Sequence, residues 1–229
     1  MSHVLLRRFG IFAKRVLLPV RLSLIFSSRL HIRVVQIGSN DGKSGDPLHR
    51  LLIENTEWRA LFVEPVPYLF CKLKLNYPEH SRFVFENVAI GHQFGTTSFY
   101  FVDPSARSQN PELPAWVEQL GSFDRGYIER HFGGFLCPYI NELQVEIIPL
   151  NDLLTKHGFQ GVDLLHVDTE GYDFEVIRQL DFRCHRPRAI LFEHKHLRQS
   201  DRFAAIQMLK RADYRLEKWG GDYLCTARR

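Results

Sequence analysis

Val34–Gly42 reads VVQIGSNDG. An apolar run that stops at a glycine suits a central parallel strand, covered on both faces and turning sharply at its carboxyl end. Gly38 and Gly42 bracket Ser39, Asn40 and Asp41. Glycine permits positive φ and lets a ligand come close to the backbone. Downstream, Asp46 suits an N-cap and Pro47 the first helical position, with Leu48, Leu51 and Leu52 as the apolar face. Strand, glycine turn and helix in that order predict a nucleotide-type site at the carboxyl end of a parallel sheet. An ordinary tight turn without a ligand is the alternative.

Working outward, Ala60–Glu64 reads ALFVE and predicts a second strand ending in a carboxylate. Glu64 lies 26 residues after Gly38, near the strand–helix–strand spacing that sets an acidic side chain beside the turn. There it can accept hydrogen bonds from two ribose hydroxyls. A third strand and its exit, Phe83–Ile90, carries Asn87, whose amide could pair with an adenine edge or simply end the strand. The turn lacks G-x-G-x-x-G spacing, which weakens an NAD reading, and no P-loop sequence is present. A nucleoside without a pyrophosphate fits better, with S-adenosylmethionine the obvious candidate. Its expected contacts are Gly38, Ser39, Asn40, Asp41, Gly42, Glu64 and Asn87.

The chain has 229 residues, 45% hydrophobic and 24% charged, enough for one sizeable core. The net charge of +4 conceals an asymmetry, because residues 1–33 hold seven Arg or Lys and no acid. The remainder, with 23 basic and 26 acidic residues, is slightly acidic, which disfavours a nucleic-acid groove across the main fold. Cys71, Cys137, Cys184 and Cys225 show no zinc spacing and read as free thiols of a reducing, cytoplasmic compartment.

Residues 1–33 form a basic amphipathic segment. Arg7, Lys14 and Arg21, with Arg8 and Arg15, lie along one side of a helix over 4–26, and Pro19 is expected to kink or end it. Charges interrupt every apolar stretch, so a spanning helix is not expected. The segment either packs on the domain or makes peripheral contact with an anionic membrane at the cytoplasmic face. Further strands are expected at Thr97–Val102, Leu143–Ile148, Val162–Asp168 and Ala189–Phe192, and helices at Pro67–Tyr77, Pro149–His157, Tyr172–Leu180 and Phe203–Arg211. Tyr214–Trp219 and Tyr223–Ala227 predict a closing antiparallel hairpin around Gly220–Gly221. Residues 103–143 break the alternation. Short helices at Glu112–Leu120 and Asp124–Phe132 would make this an insertion over the substrate site, with Ser122, Tyr127, Arg130 and His131 as polar candidates.

The chain resembles the FkbM-type methyltransferases over roughly residues 34–227. The resemblance is carried by IGSND at 37–41, VEP at 63–65, NVAIG at 87–91, IIPLNDLL at 147–154, LLHVDTEGYDFEVI at 164–177 and FE at 192–193. It implies an α/β fold: a class I methyltransferase-like Rossmann sheet, mostly parallel with an antiparallel terminal strand, over residues 34–229. It also implies S-adenosylmethionine, with cofactor contacts at Gly38, Asn40 and Glu64, and O-methylation of a glycan, glycolipid or natural product. Two positions depart from the family pattern. Gln36–Asn40 stands where an acidic residue and an Ala-Asn turn are common, and His166 stands where a lysine precedes the Asp168–Glu170 acidic pair.

An alcohol acceptor has to lose a proton, so a nearby base helps. Asp168, at a strand end, is the first catalytic candidate and His194, at the next, the second; His196 and Glu170 are reserves. Asp168, Glu170, Glu193 and His194 could instead converge on magnesium, although separate surface carboxylates are the preferred reading and no metal is assigned. The alternatives to an enzyme of this kind are a noncatalytic partner-binding protein with the same fold and, more distantly, an NAD-dependent oxidoreductase.

Overall fold

The computed structural model describes residues 17–77 and 81–228. β1 (Ile32–Ile37) pairs in parallel with β2 (Trp58–Val63), and β2 with β3 (Phe83–Glu86). On its other side β1 pairs in parallel with β8 (Leu164–Val167), and β8 with β9 (Ala189–Glu193). The hairpin β10 (Tyr214–Trp219) and β11 (Asp222–Ala227) completes the sheet, with β11 antiparallel to both β9 and β10. The order is β10-β11-β9-β8-β1-β2-β3. The sheet is therefore mostly parallel with an antiparallel terminal strand, as expected. The chain leaves β1 in one direction and returns on its other side at β8, so the crevice beyond β1 and β8 is the topological switch point where such sheets bind ligands.

Side-chain alternation explains why both faces are dry. Val35, Ile37, Leu61, Val63 and Phe192 enter one core with α6 (Leu150–Lys156), α7 (Asp173–Ile177) and α8 (Gln199–Arg211). Ile32, Val34, Ala60, Phe62 and Leu191 enter the other with α1 (Leu18–Phe26), α2 (His49–Glu54) and α3 (Pro67–Asn76). A run buried on both faces reads as continuously apolar, which is what the sequence showed at β1.

α2 begins at His49, two residues later than the Pro47 start expected. Asp46 does accept a main-chain N–H, from Leu48 at 2.7 Å, but its other oxygen is tied to Gln36 Nε2 on β1 at 3.1 Å. That link holds the chain against the sheet before the helix can start. α7 likewise stops at Ile177 rather than Leu180.

A second sheet stands beyond β3. β4 (Ala89–Ile90) is parallel to β7 (Ile140–Ile148), which pairs antiparallel along β5 (Gly95–Val102), and β5 pairs with the short β6 (Gly121–Ser122). Residues 103–139 leave β5 and return to β7 at adjacent points, since Val102 pairs with Ile140 and Asp103 N–H donates to the Tyr139 carbonyl at 2.8 Å. Between them lie α4 (Ser105–Gln109), a 3₁₀ turn over Ala115–Gln119, and α5 (Arg125–Glu129), N-capped by the Asp124 carboxylate. The helix expected over 112–120 is thus only a 3₁₀ turn, because Pro111 and Pro114 deny the segment a regular N–H ladder. This stretch has its own apolar cluster, including Val102, Leu113, Val117, Ile128 and Leu136.

At the amino end, Pro19 sits in the first turn of α1, where its missing N–H does no harm. Leu18, Leu22 and Phe26 are buried against the sheet, each contributing about 1.5–3 kcal/mol. Arg21 forks onto Glu217 of β10 at 2.8 and 3.2 Å. It is therefore a docking residue of α1 rather than a lipid-facing one. The remaining basic positions of the expected amphipathic stripe, Arg7, Arg8, Lys14 and Arg15, lie outside the described residues. No helix among the described residues is long and apolar enough to cross a membrane.

Candidate active site

The turn after β1 is locked by close approach. Gly38 has φ +75°, and a Cβ there would stand 1.9 Å from the Asp168 carbonyl oxygen. Only glycine lets the β1 and β8 ends come this close. Ser39 is buried; its Oγ donates to the Gln36 carbonyl at 3.0 Å and accepts from Val63 N–H at 3.2 Å, fixing the turn. Asn40 adopts left-handed φ +50°, which Asn tolerates better than most residues. Its N–H donates to Glu64 Oε2 at 2.8 Å.

Glu64 is 3% exposed, and its other oxygen accepts Val66 N–H at 2.9 Å. Burial pushes its pKa up to about 7 against the two main-chain donors, which favour the ionised form. The carboxylate is thus positioned at the strand end and poorly solvated.

Asp41 and Gly42 serve the loop. Asp41 Oδ1 accepts the N–H groups of Lys43 and Ser44 at 3.0 and 2.7 Å. Gly42 faces α3, where a Cβ would meet Leu73 at 2.4 Å and Tyr77 at 2.7 Å. Asn87 donates from Nδ2 to the carbonyls of Glu64 at 2.8 Å and Pro65 at 3.0 Å, bracing the Glu64 loop.

Two chambers open at this edge. One, small and mostly apolar, has Val63, Val88, Ile90 and Phe99 among its walls and Glu64 as its buried acid. Gln119, Gly121 and Phe123, from the segment between β5 and β7, close it. The other is larger, carries more polar side chains, and reaches from the glycine turn to Glu193, His196 and Asp222. Both are lined by Gly38, Asn40, Gln119, Asp168 and Glu170, so these residues form the passage between them.

Asp168 stands in that passage, its N–H held by the Ile37 carbonyl at 3.0 Å. Beside it, Tyr127 OH donates to Glu170 Oε2, and burial followed by the Glu170 charge raises the Tyr127 pKa, keeping it a donor. His196 Nε2 lies 3.5 Å from Glu170 Oε2 and 3.8 Å from Glu193 Oε2. Burial, then Lys195 and His131, lowers the His196 pKa to about 4, so its imidazole is neutral at physiological pH.

His194 is not brought into this group. It is buried, with its ring 4.3 Å from that of Tyr223. Burial, then Lys218, lowers its pKa. The histidine that meets the carboxylates is His196, two residues on. Of the polar candidates of 103–143, His131 lines the larger chamber and Tyr127 touches its Glu170, whereas Ser122 Oγ accepts Asp124 N–H at 3.1 Å and Arg130 pairs with Asp124 at 3.3 Å. Trp116 and Gln119, also in the lining, carried no signal in the sequence.

Among curated proteins no significant sequence relative is found. Among solved structures, the chain is similar to a putative caffeoyl-CoA O-methyltransferase from Staphylococcus aureus (7% identity, 100% of this chain and 93% of that one, TM-score 0.49). It is also similar to ribosomal protein L11 methylase from Lactobacillus delbrueckii subsp. bulgaricus (8% identity, 90% and 76% covered, TM-score 0.43). A third similarity is to a fibrillarin/Nop5p complex (12% identity, 88% and 74% covered, TM-score 0.43). The model of the methyltransferase FkbM domain matches residues 36–216. That match spans most of the chain and both strand ends of the passage, and the chain belongs to the FkbM family of S-adenosylmethionine-dependent methyltransferases.

Proposed function

We propose that the protein methylates a hydroxyl of a glycan, glycolipid or related natural product. The observation that carries this reading is the junction, at Asp168 and Glu170, of an apolar chamber holding the buried Glu64 with a larger one richer in polar side chains. The first chamber suits S-adenosylmethionine: Glu64, buried in its wall, would take the ribose hydroxyls, and Gly38 and Asn40 of the glycine turn line the same chamber. The cofactor supplies an electrophilic methyl carbon on a sulfonium, transferred to an oxygen nucleophile while the C–S electron pair stays on sulfur. The chain's own work is to bind, align and exclude water. Asp168, in the passage, receives the hydroxyl proton and later returns it to solvent; Glu170, fixed by Tyr127, orients the acceptor. His194 has no part in this reading, since its ring packs on Tyr223.

The test is an acceptor screen that reads S-adenosylhomocysteine, followed by Asp168→Asn. Loss of a general base lowers turnover by about 10²–10⁴, with cofactor affinity, measured separately, changed less than turnover. Full activity in the variant would remove Asp168 from the role. A product methylated on nitrogen or carbon would refute the hydroxyl assignment.

A further inference from the structure

Glu170 follows β8, Glu193 ends β9, and His196 lies three residues beyond Glu193. One ligand atom from each falls within 4.8 Å of the other two. We propose that these three side chains form a divalent-cation site in the floor of the polar chamber. A six-coordinate cation bonded at about 2.1 Å holds neighbouring ligand atoms about 3 Å apart. The two measured separations, 3.5 and 3.8 Å from His196 Nε2 to the carboxylates, therefore need only sub-ångström contraction.

Three further features support the site. The ligands come from neighbouring strand ends, and Gly171 lets them converge: a Cβ there would stand 3.1 Å from the His196 carbonyl oxygen. Outer contacts orient two of them, because Tyr127 OH donates to Glu170 Oε2 and the Tyr127 and His196 rings pack edge-on at 5.2 Å. The chamber's lining is also rich in acids. Among the described residues that line it, Asp41, Asp46, Asp168, Glu170, Glu193 and Asp222 stand against the ammonium of Lys195.

Two carboxylates and one imidazole suit a first-row divalent ion such as Mn²⁺ or Zn²⁺ more than an all-oxygen magnesium cage. Three protein ligands leave coordination positions for water or an acceptor oxygen. A hydroxyl bound there would lose its proton more readily, and Asp168, which is not a ligand, would receive it. This use of the cation rests on the methyl-transfer reading; the site itself does not.

Mn²⁺ binding to the chelator-treated full chain, read by electron paramagnetic resonance and calorimetry, tests it. One ion per chain is expected. Tyr127→Phe should weaken binding about tenfold, the lower end for an orienting partner. Glu193→Gln and His196→Ala should weaken it further. S-adenosylmethionine titrations of the same variants report that the fold is intact. Failure of wild type to bind Mn²⁺ or Zn²⁺, or unchanged binding in Glu193→Gln and His196→Ala, overturns the site. S-adenosylmethionine binding without cation binding leaves the methyl-transfer reading standing, and cation binding without S-adenosylmethionine overturns that reading instead.

Discussion

Glu64→Gln probes the contact on which cofactor binding is expected to turn. In the ligand-free protein, each Glu64 oxygen accepts one main-chain N–H, from Asn40 and from Val66. An amide has one acceptor oxygen, so the variant leaves one of those donors facing an NH₂ group and one ribose hydroxyl without its acceptor. Each such loss costs about 1–3 kcal/mol, and tenfold in affinity corresponds to about 1.4 kcal/mol. A fall in S-adenosylmethionine affinity of about ten- to a hundredfold is expected. The wild type should also show a pH signature. With its pKa raised from 4.5 to about 7, Glu64 is largely protonated below neutrality in the free protein. Ribose hydroxyls donating to the carboxylate favour the ionised form, so binding should expel a proton, and affinity should fall as pH drops below about 7. The same shift has a stability consequence of opposite slope. A carboxyl raised above its unfolded value binds an extra proton in the native state between the two pKa values. The free protein therefore loses about 3 kcal/mol as pH rises through that window. Calorimetry at about pH 6 and about pH 8, in buffers of different ionisation heat, reads both affinity and proton release. Subtracting the profile of the Glu64→Gln variant removes the cofactor's own titration. Equal affinities of the two proteins at the higher pH, or parallel pH profiles, would refute the reasoning.

Gly38→Ala should destabilise the fold by more than about 2 kcal/mol in urea unfolding, because left-handed strain adds to the clash with the Asp168 carbonyl; a variant of wild-type stability would contradict the close packing of the two strand ends. His194→Phe should leave turnover unaltered, since the ring packs on Tyr223 away from the passage; a large loss of turnover in a folded variant would return His194 to the catalytic list. If residues 1–16 supply lipid contact, a chain beginning at Leu17 should sediment less with anionic vesicles than the full chain, and added salt should reduce the full chain's binding; identical, salt-insensitive sedimentation would speak for domain packing alone.

Much of the sheet was legible because it is buried on both faces. Apolar runs ending in Gly38, Glu64 and Asp168 announce central strands and their carboxyl ends, and the hairpin at Gly220–Gly221 announces itself by its turn. The placement of side chains around those ends was less legible. Beyond Glu193 the chain is neither strand nor helix until Gln199, so no period says whether residue 194 or 196 faces the crevice. The Tyr127–Glu170 contact joins residues 43 apart through a segment of short turns, and nothing local marks it. Asp46 shows a subtler failure: it was expected to cap the helix, but the N-cap is Leu48 without a side-chain cap bond, and Asp46 instead closes a local turn onto Leu48 N–H and bonds Gln36.

The adjacent exit and return of residues 103–139 make that stretch exchangeable. Its ends are already joined by the Val102–Ile140 pair, so lengthening it adds only slowly growing loop-closure entropy, about 0.6 kcal/mol for each doubling. Its apolar cluster is distinct from both cores of the main sheet. Yet it supplies Gln119 to both chambers and Trp116 and His131 to the polar one. If the two chambers hold cofactor and acceptor as proposed, swapping this module would change the acceptor side while Gly38, Glu64 and Asp168 stay where the sheet holds them.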